Sequence, residues 1–211
     1  MSLLRRSIKE PVPEIFEAAE LLRGAVDAHL AGDTTRAAYL FRTANMPKIR
    51  EWAESIWGLG WKKLIQPQII EGAPAFKPTE DRHPNRMPNR AEEAEIIGRD
   101  GYHCRFCGIP VIHKRIRVRA KALYPEDVTW GTTNISQHAA FQTMWLQFDH
   151  LLPHSRGGTN DIDNVVITCA PCNYGRSEYT IEELGLMNPF DQEPVTSSWN
   201  GLEHLASGSA P

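Results

Sequence analysis

Residues 144–179 read MWLQFDHLLPHSRGGTNDIDNVVITCAPCNYGRSEY, and their punctuation predicts strand, loop, strand, helix. Trp145-Leu146-Gln147-Phe148 is a short apolar run that ends at Asp149-His150. Pro153 to Asp163 is a loop, with Gly157-Gly158 at its tip supplying the backbone freedom a tight reversal needs. Val165-Val166-Ile167-Thr168 is β-branched throughout, the composition of a strand. Cys169 and Cys172 then open a helix that carries Asn173 and Arg176. Just beyond, Thr180 and Glu183 have the spacing of a capping box and predict one more helix.

The chain has four cysteines, and they form two identical pairs, Cys104-Arg-Phe-Cys107 and Cys169-Ala-Pro-Cys172. Two thiolates three positions apart on a tight turn can fill two corners of a tetrahedron, and two such turns close it around Zn²⁺. Four sulfurs leave no open coordination position, so the expected zinc is structural. Two redox motifs or unpaired core cysteines are the competing readings. The gap between the pairs is longer than in a simple ribbon, so a unit of structure must lie between them. The stretch from about Ile112 to Phe141 reads as that insertion.

Upstream, residues 14–58 read as helices. Ile15, Ala19, Leu22, Val26 and Leu30 keep helical spacing, and Gly32 stops that run. Asp33 is placed to cap a second helix carrying Ala37, Leu40, Phe41 and Ala44. Pro47 is placed to open a third, with Ile49, Trp52 and Ile56 on one face and Gly58 after its end. These stripes read as core, and no chemistry is evident in them. The proline-rich polar stretch AFKPTEDRHPNRMPNR reads as a linker, and Asn89 with Glu92 as the cap of a short helix. The expected organisation is a helical N-terminal region at 1–75, a linker at 76–91, a domain built around the cysteine pairs at 92–187 and a C-terminal tail at 188–211, loose from about Ala206 onward.

Composition bounds the function. Hydrophobic residues are 41% of the chain, enough for an ordinary globular core, and no apolar run is long enough for a membrane helix. The opening MSLLRRSIKEPVPE lacks a signal peptide's apolar stretch, so the expected location is the cytoplasm. Net charge is −3 and the pI is near 6.2. Any nucleic-acid partner must therefore be met by local positive charge. From Gly101 to Pro125 there is no acidic residue, while Arg105, Lys114, Arg115, Arg117, Arg119 and Lys121 fall inside it. Arg115, Arg117 and Arg119 alternate as on one face of a strand, where they would track a phosphate backbone. A second cluster is Arg82, His83, Arg86 and Arg90. Either run is equally readable as a solvated face.

The string Asp149-His150, Pro153, Gly157-Gly158, Asn164 before a β-branched strand, then C-x-x-C-N resembles the HNH endonucleases, the ββα-metal or His-Me finger family. The resemblance covers roughly residues 92–187, and the two knuckles match the zinc-containing, McrA-like branch. It implies an α+β fold, with a ββα-metal core and a structural four-cysteine zinc site preceded by a small helical region. It further implies a metal-dependent endonuclease acting on DNA, expected to be double-stranded, leaving 5′-phosphate and 3′-hydroxyl ends.

By that resemblance His150 is the general base and Asp149 the carboxylate that binds the catalytic metal. Asn164 is the middle asparagine, which pins the loop and helps to orient the histidine. Asn173 stands where the family name has its last histidine, and this variant keeps an oxygen ligand. Carboxylate and amide oxygens are hard donors and suit Mg²⁺ or Mn²⁺. Arg176, one turn along the helix, is expected to reach a phosphate, as are Arg115, Arg117 and Arg119. His154 reads as a loop side chain near the site, while His103, His113 and His138 read as structural. No membrane partner is expected, and the N-terminal helices offer a surface for a protein partner. Such proteins point to restriction or anti-phage defence. The alternative is a zinc-knuckle module that binds nucleic acid or protein without cutting, for which Asp149, His150 and Asn173 would not all be needed.

Overall fold

The computed structural model describes residues 4–57 and 64–207. Three helices come first: α1 (Pro13–Leu30), α2 (Thr34–Thr43) and α3 (Pro47–Trp57). α1 starts at a proline, whose missing N–H costs nothing in the first turn. It buries Ile15, Ala19, Leu22 and Val26, but Leu30 is 46% exposed. The apolar stripe therefore stops one turn before Leu30, and Gly32 turns the chain with φ +82°. The Asp33 side chain accepts from the Arg36 amide and so caps α2. α3 buries Ile49, Trp52, Ala53 and Ile56; its expected stop, Gly58, lies outside the described residues.

α4 (Arg90–Asp100) carries the full capping box, Asn89 accepting from the Glu92 amide and Glu92 from the Asn89 amide. Its last residue, Asp100, is fully buried and accepts from Arg99 and from the Ile167 amide at 2.8 Å. Next come α5 (Lys114–Leu123) and α6 (Ala139–Thr143). The expected arginine-bearing strand is thus a helix. Ile116 and Ala120, four apart and both buried, set the period there, and the Arg-x-Arg-x-Arg pattern does not.

β1 (Leu146–His150) and β2 (Val165–Cys169) form one antiparallel hairpin, with Leu146 opposite Cys169 and His150 opposite Val165. α7 (Ala170–Arg176) folds back across it. Two antiparallel strands and a helix are the ββα unit, and the whole is a mixed α+β fold. The unit does not stand alone, because a hairpin by itself buries too little. α3 packs on α7 at Gly175, where an added Cβ would lie 2.5 Å from Ile56 Cγ2. The N-terminal helices and the hairpin thus share one hydrophobic core among the described residues.

Thr180 and Glu183 make their reciprocal bonds, but only a turn follows. Gly185 takes a positive φ of +61° and ends it. The C-terminal stretch packs rather than trails. Trp199 donates to the Val111 carbonyl at 3.0 Å, and Leu202 and Leu205 are buried, the latter on α8 (His204–Ser207). The expected loose end falls largely on residues 208–211, outside the described residues. No described helix is long and apolar enough to cross a membrane.

Candidate metal centre and catalytic cleft

The hairpin carries a polar cluster at each end. At one end, the chain leaves α4 through Gly101 and forms a knuckle in which Cys104 receives the Gly108 amide on its carbonyl and the Cys107 amide on its sulfur. The Arg105 amide bonds the Ile167 carbonyl at 2.8 Å, fastening this knuckle to β2. Cys169 ends β2, and Cys172 lies in the first turn of α7. The four sulfurs lie within 4.8 Å of one another, and Cys107 and Cys169 are 3.6 Å apart. A Zn–S bond of roughly 2.3 Å gives a tetrahedral edge of about 3.8 Å, so the cluster can hold a zinc ion. Without a cation, burial pushes the Cys169 thiol well up, and its contacts with Cys104 and Cys107 add to the rise. A cation at the centre would remove that penalty on the thiolates.

The other end opens on a cleft of about 420 Å³, where Asp149, His150 and Asn173 meet. Asp149 is 4% exposed and His150 7%. Arg176 lies behind them, 1% exposed, holding both oxygens of Asp149 and the His150 carbonyl, and donating to the Tyr179 carbonyl at 2.6 Å. Burial pushes the Asp149 carboxyl up, and Arg176 opposes that rise. The expected phosphate contact by Arg176 is therefore corrected. A guanidinium this buried and this fully engaged is the internal counterion of Asp149. Asn173 turns its Nδ2 to Gln147 Oε1 at 3.4 Å, which leaves Oδ1 for the cleft. A carboxylate oxygen has two lone pairs, so Asp149 can keep Arg176 and still offer an oxygen to a metal. The donor set of carboxylate and amide oxygens fits a hard divalent ion.

His150 is oriented by a residue that the sequence did not single out. Asn160 Nδ2 donates to the carbonyls of Asn85 and Met87, both at 3.0 Å. Only an amide N–H₂ can serve two carbonyls, so Asn160 presents its oxygen to His150 Nε2, 2.8 Å away. Nε2 must then carry the proton, and Nδ1 keeps a lone pair with no hydrogen-bond partner among the described residues. Burial lowers the His150 pKa below 6.5, although Asn160 and Asp149 pull it upward. The downward shift favours the neutral ring, the state a base requires.

Asn164 makes its bonds within the loop between β1 and β2. It accepts from the Leu152 amide at 2.9 Å and donates to the Thr159 carbonyl at 2.8 Å. Gly158 completes the closure, since a Cβ there would sit 1.8 Å from the Leu152 carbonyl oxygen. Asn164 does not bond the imidazole; Asn160 does. A separate cleft of about 470 Å³ runs beside Asn164, lined by Ile70, Pro74, Leu152 and Ile181, and it holds none of Asp149, His150 and Asn173.

The arginines of α5 lie outside the cleft that holds Asp149, His150 and Asn173. Arg115 pairs with Glu203, its Nε at 3.1 Å. Arg117 is 7% exposed and stacks over Trp130 at 3.6 Å. Arg119 is half-buried, so the three form no common face. Among the histidines, His138 is fully buried and bonds the Phe41 carbonyl, His113 caps α5, and His103 packs against Ser197. His154 borders the cleft, its ring 6.2 Å from that of His150, and bonds the His83 carbonyl.

A family model described as HNH endonuclease matches residues 138–186. That span holds Asp149, His150, Asn164, Asn173 and the second cysteine pair, and it places this segment in the HNH endonuclease family. No curated protein and no solved structure matches the chain.

Proposed function

We propose that the chain, with its HNH segment, is an endonuclease that hydrolyses phosphodiester bonds in DNA. His150 is its general base, and Asp149 and Asn173 hold Mg²⁺ or Mn²⁺. One observation carries this reading: a histidine whose Nε2 is held by the Asn160 oxygen shares one cleft with two hard oxygen donors. Nδ1 of His150 takes the proton of the attacking water, help worth roughly 10²–10⁴-fold in rate. Arg176, paired with both Asp149 oxygens, opposes the rise that burial gives the carboxyl. Gln147 keeps the Asn173 oxygen turned to the cleft. When bound, the ion neutralises charge on the phosphate oxygens and the leaving group. Zn²⁺ at the four cysteines has a different task, which is to lock the knuckle to β2 and α7. The N-terminal helices support the site through the contact of α3 with α7.

The test is purified protein with supercoiled plasmid in EDTA, Mg²⁺ or Mn²⁺. We expect no cleavage in EDTA, and nicked or linear product with either ion at a zinc content of one per chain. Metal-independent cleavage, or none with any divalent ion, would overturn the assignment.

A further inference from the structure

The stretch read as a linker is fastened along its length to the loop that carries the base. The Lys77 amide bonds the Ser155 carbonyl at 2.8 Å, and His154 bonds the His83 carbonyl at 2.7 Å. Asn160 holds the carbonyls of Asn85 and Met87. Arg156 bonds the Pro74 carbonyl and lies over the Phe76 ring at 4.5 Å. Gly157 lets Lys77 approach, since a Cβ there would meet its Cε at 2.6 Å. A polar, mostly exposed segment with no buried apolar stripe is thus held in one place by backbone bonds to the catalytic loop.

That place is the wall of the catalytic cleft. Arg82 and Arg86 line it together with Asp149, His150 and Asn173. Among the described residues Arg82 uses only its Nε, on the Lys77 carbonyl at 2.9 Å. Arg86 is exposed and makes no hydrogen bond or ion pair among the described residues. Its charge acts across the cleft on the Tyr174 hydroxyl, holding back the rise that burial gives it. Of the two carboxylates in the cleft, Asp149 belongs to Arg176, and exposed Glu178 pairs with neither strap arginine. The chain carries a net −3, and Arg115 and Arg117 are engaged elsewhere. Guanidinium groups suit phosphate oxygens because their forked donors can bind two at once.

We propose that residues 77–88 form the second wall of the substrate cleft and that Arg82 and Arg86 grip backbone phosphates of duplex DNA beside the scissile bond. This rests on the nuclease reading above. The test uses His150→Ala protein, which should bind without cutting, and a fluorescein-labelled duplex of about 20 base pairs followed by anisotropy across a salt titration. Adding Arg82→Gln and Arg86→Gln should weaken binding on the order of tenfold. It should also flatten the log–log salt slope by about 2, near 0.9 per phosphate contact. Arg82→Lys with Arg86→Lys should keep the slope, and Arg36→Gln, exposed on α2, should change nothing. Arg86→Gln alone removes no internal bond, so it should flatten the slope by about 1 at unchanged melting temperature and zinc content. An unchanged slope in the Gln variants, or equal loss in the Lys pair, overturns the strap. A parent that binds no duplex overturns the nuclease reading along with it.

Discussion

The two ends of the β1–β2 hairpin hold polar clusters of opposite design. Cys169 and His150 stand four residues apart along the paired strands, roughly 13 Å at about 3.4 Å per residue, while Cys172 and Asn173 are chain neighbours on α7. At the cysteine end every ligand atom faces the other three, and the cluster is closed. At the His150 end each group is satisfied on one side only. Asp149 leans on Arg176, His150 on Asn160 and Asn173 on Gln147, and each keeps one acceptor for the cleft. The closed cluster can only hold the fold together. The half-satisfied one is held rigid from behind and has acceptors left over on its cleft side. Function is thus visible in what the hydrogen bonds leave over, beyond which residue types are present.

The sharpest break of this contrast is Cys169→Ser. A closed four-sulfur site has no spare ligand, and structural zinc contributes roughly 10–16 kcal/mol of apparent binding free energy in small zinc folds. A domain's whole stability is about 5–15 kcal/mol. The variant should lose its zinc and its near-ultraviolet circular dichroism together. A folded, zinc-free Cys169→Ser protein would show that the cluster is ordinary core.

His150→Ala should show the opposite profile. Cleavage should fall roughly 10²–10⁴-fold, with zinc content and melting temperature within error of wild type. Asp149→Asn keeps an acceptor for buried Arg176, so it should fold, and its activity should recover in part at high Mg²⁺ or Mn²⁺. Excess metal should not restore His150→Ala. Plasmid cleavage by both variants across a metal titration checks the pair. Wild-type cleavage by His150→Ala would remove the base.

Much of this contrast was legible in the sequence, because its signals are local. Asn89 with Glu92, Asp33 and Pro47 mark helix starts within three or four residues. The knuckles and the β-branched strand are equally short-range. What escaped is long-range. Asn160 carries no spacing signal, and its partners Asn85 and Met87 are more than 70 residues away. The 76–91 stretch is polar and proline-rich, which hides the fact that its carbonyls receive His154 and Asn160. Charge misled most. Arg115, Arg117 and Arg119 mimic a two-residue period, while their partners, Glu203 and Trp130, appear only in three dimensions. Arg176 read as a free cation because the sequence does not show that its helix folds back over Asp149.

The finest test concerns Asn160, which bonds both His150 and the strap. If it fixes the proton on Nε2, Asn160→Ala lets the proton settle on Nδ1 in part of the molecules, and those cannot accept from water. The rate at pH 8 should fall by a modest factor, about three to ten, as for loss of one hydrogen bond of about 1 kcal/mol. The pH profile says more. His150 works only when neutral, so activity is lost as pH falls through its pKa, which burial has set below 6.5. The Asn160 bond pulls that pKa upward, so Asn160→Ala should move the acid limb to still lower pH. Asn160→Asp places a carboxylate beside the ring, favours the imidazolium and should move the limb to higher pH. A residue that only holds the loop would shift the melting temperature of both variants and leave the limb in place. Opposite displacement of the limb by Ala and Asp is therefore the signature of positioning. A limb that moves in neither would assign the orientation of His150 to the backbone of the loop instead.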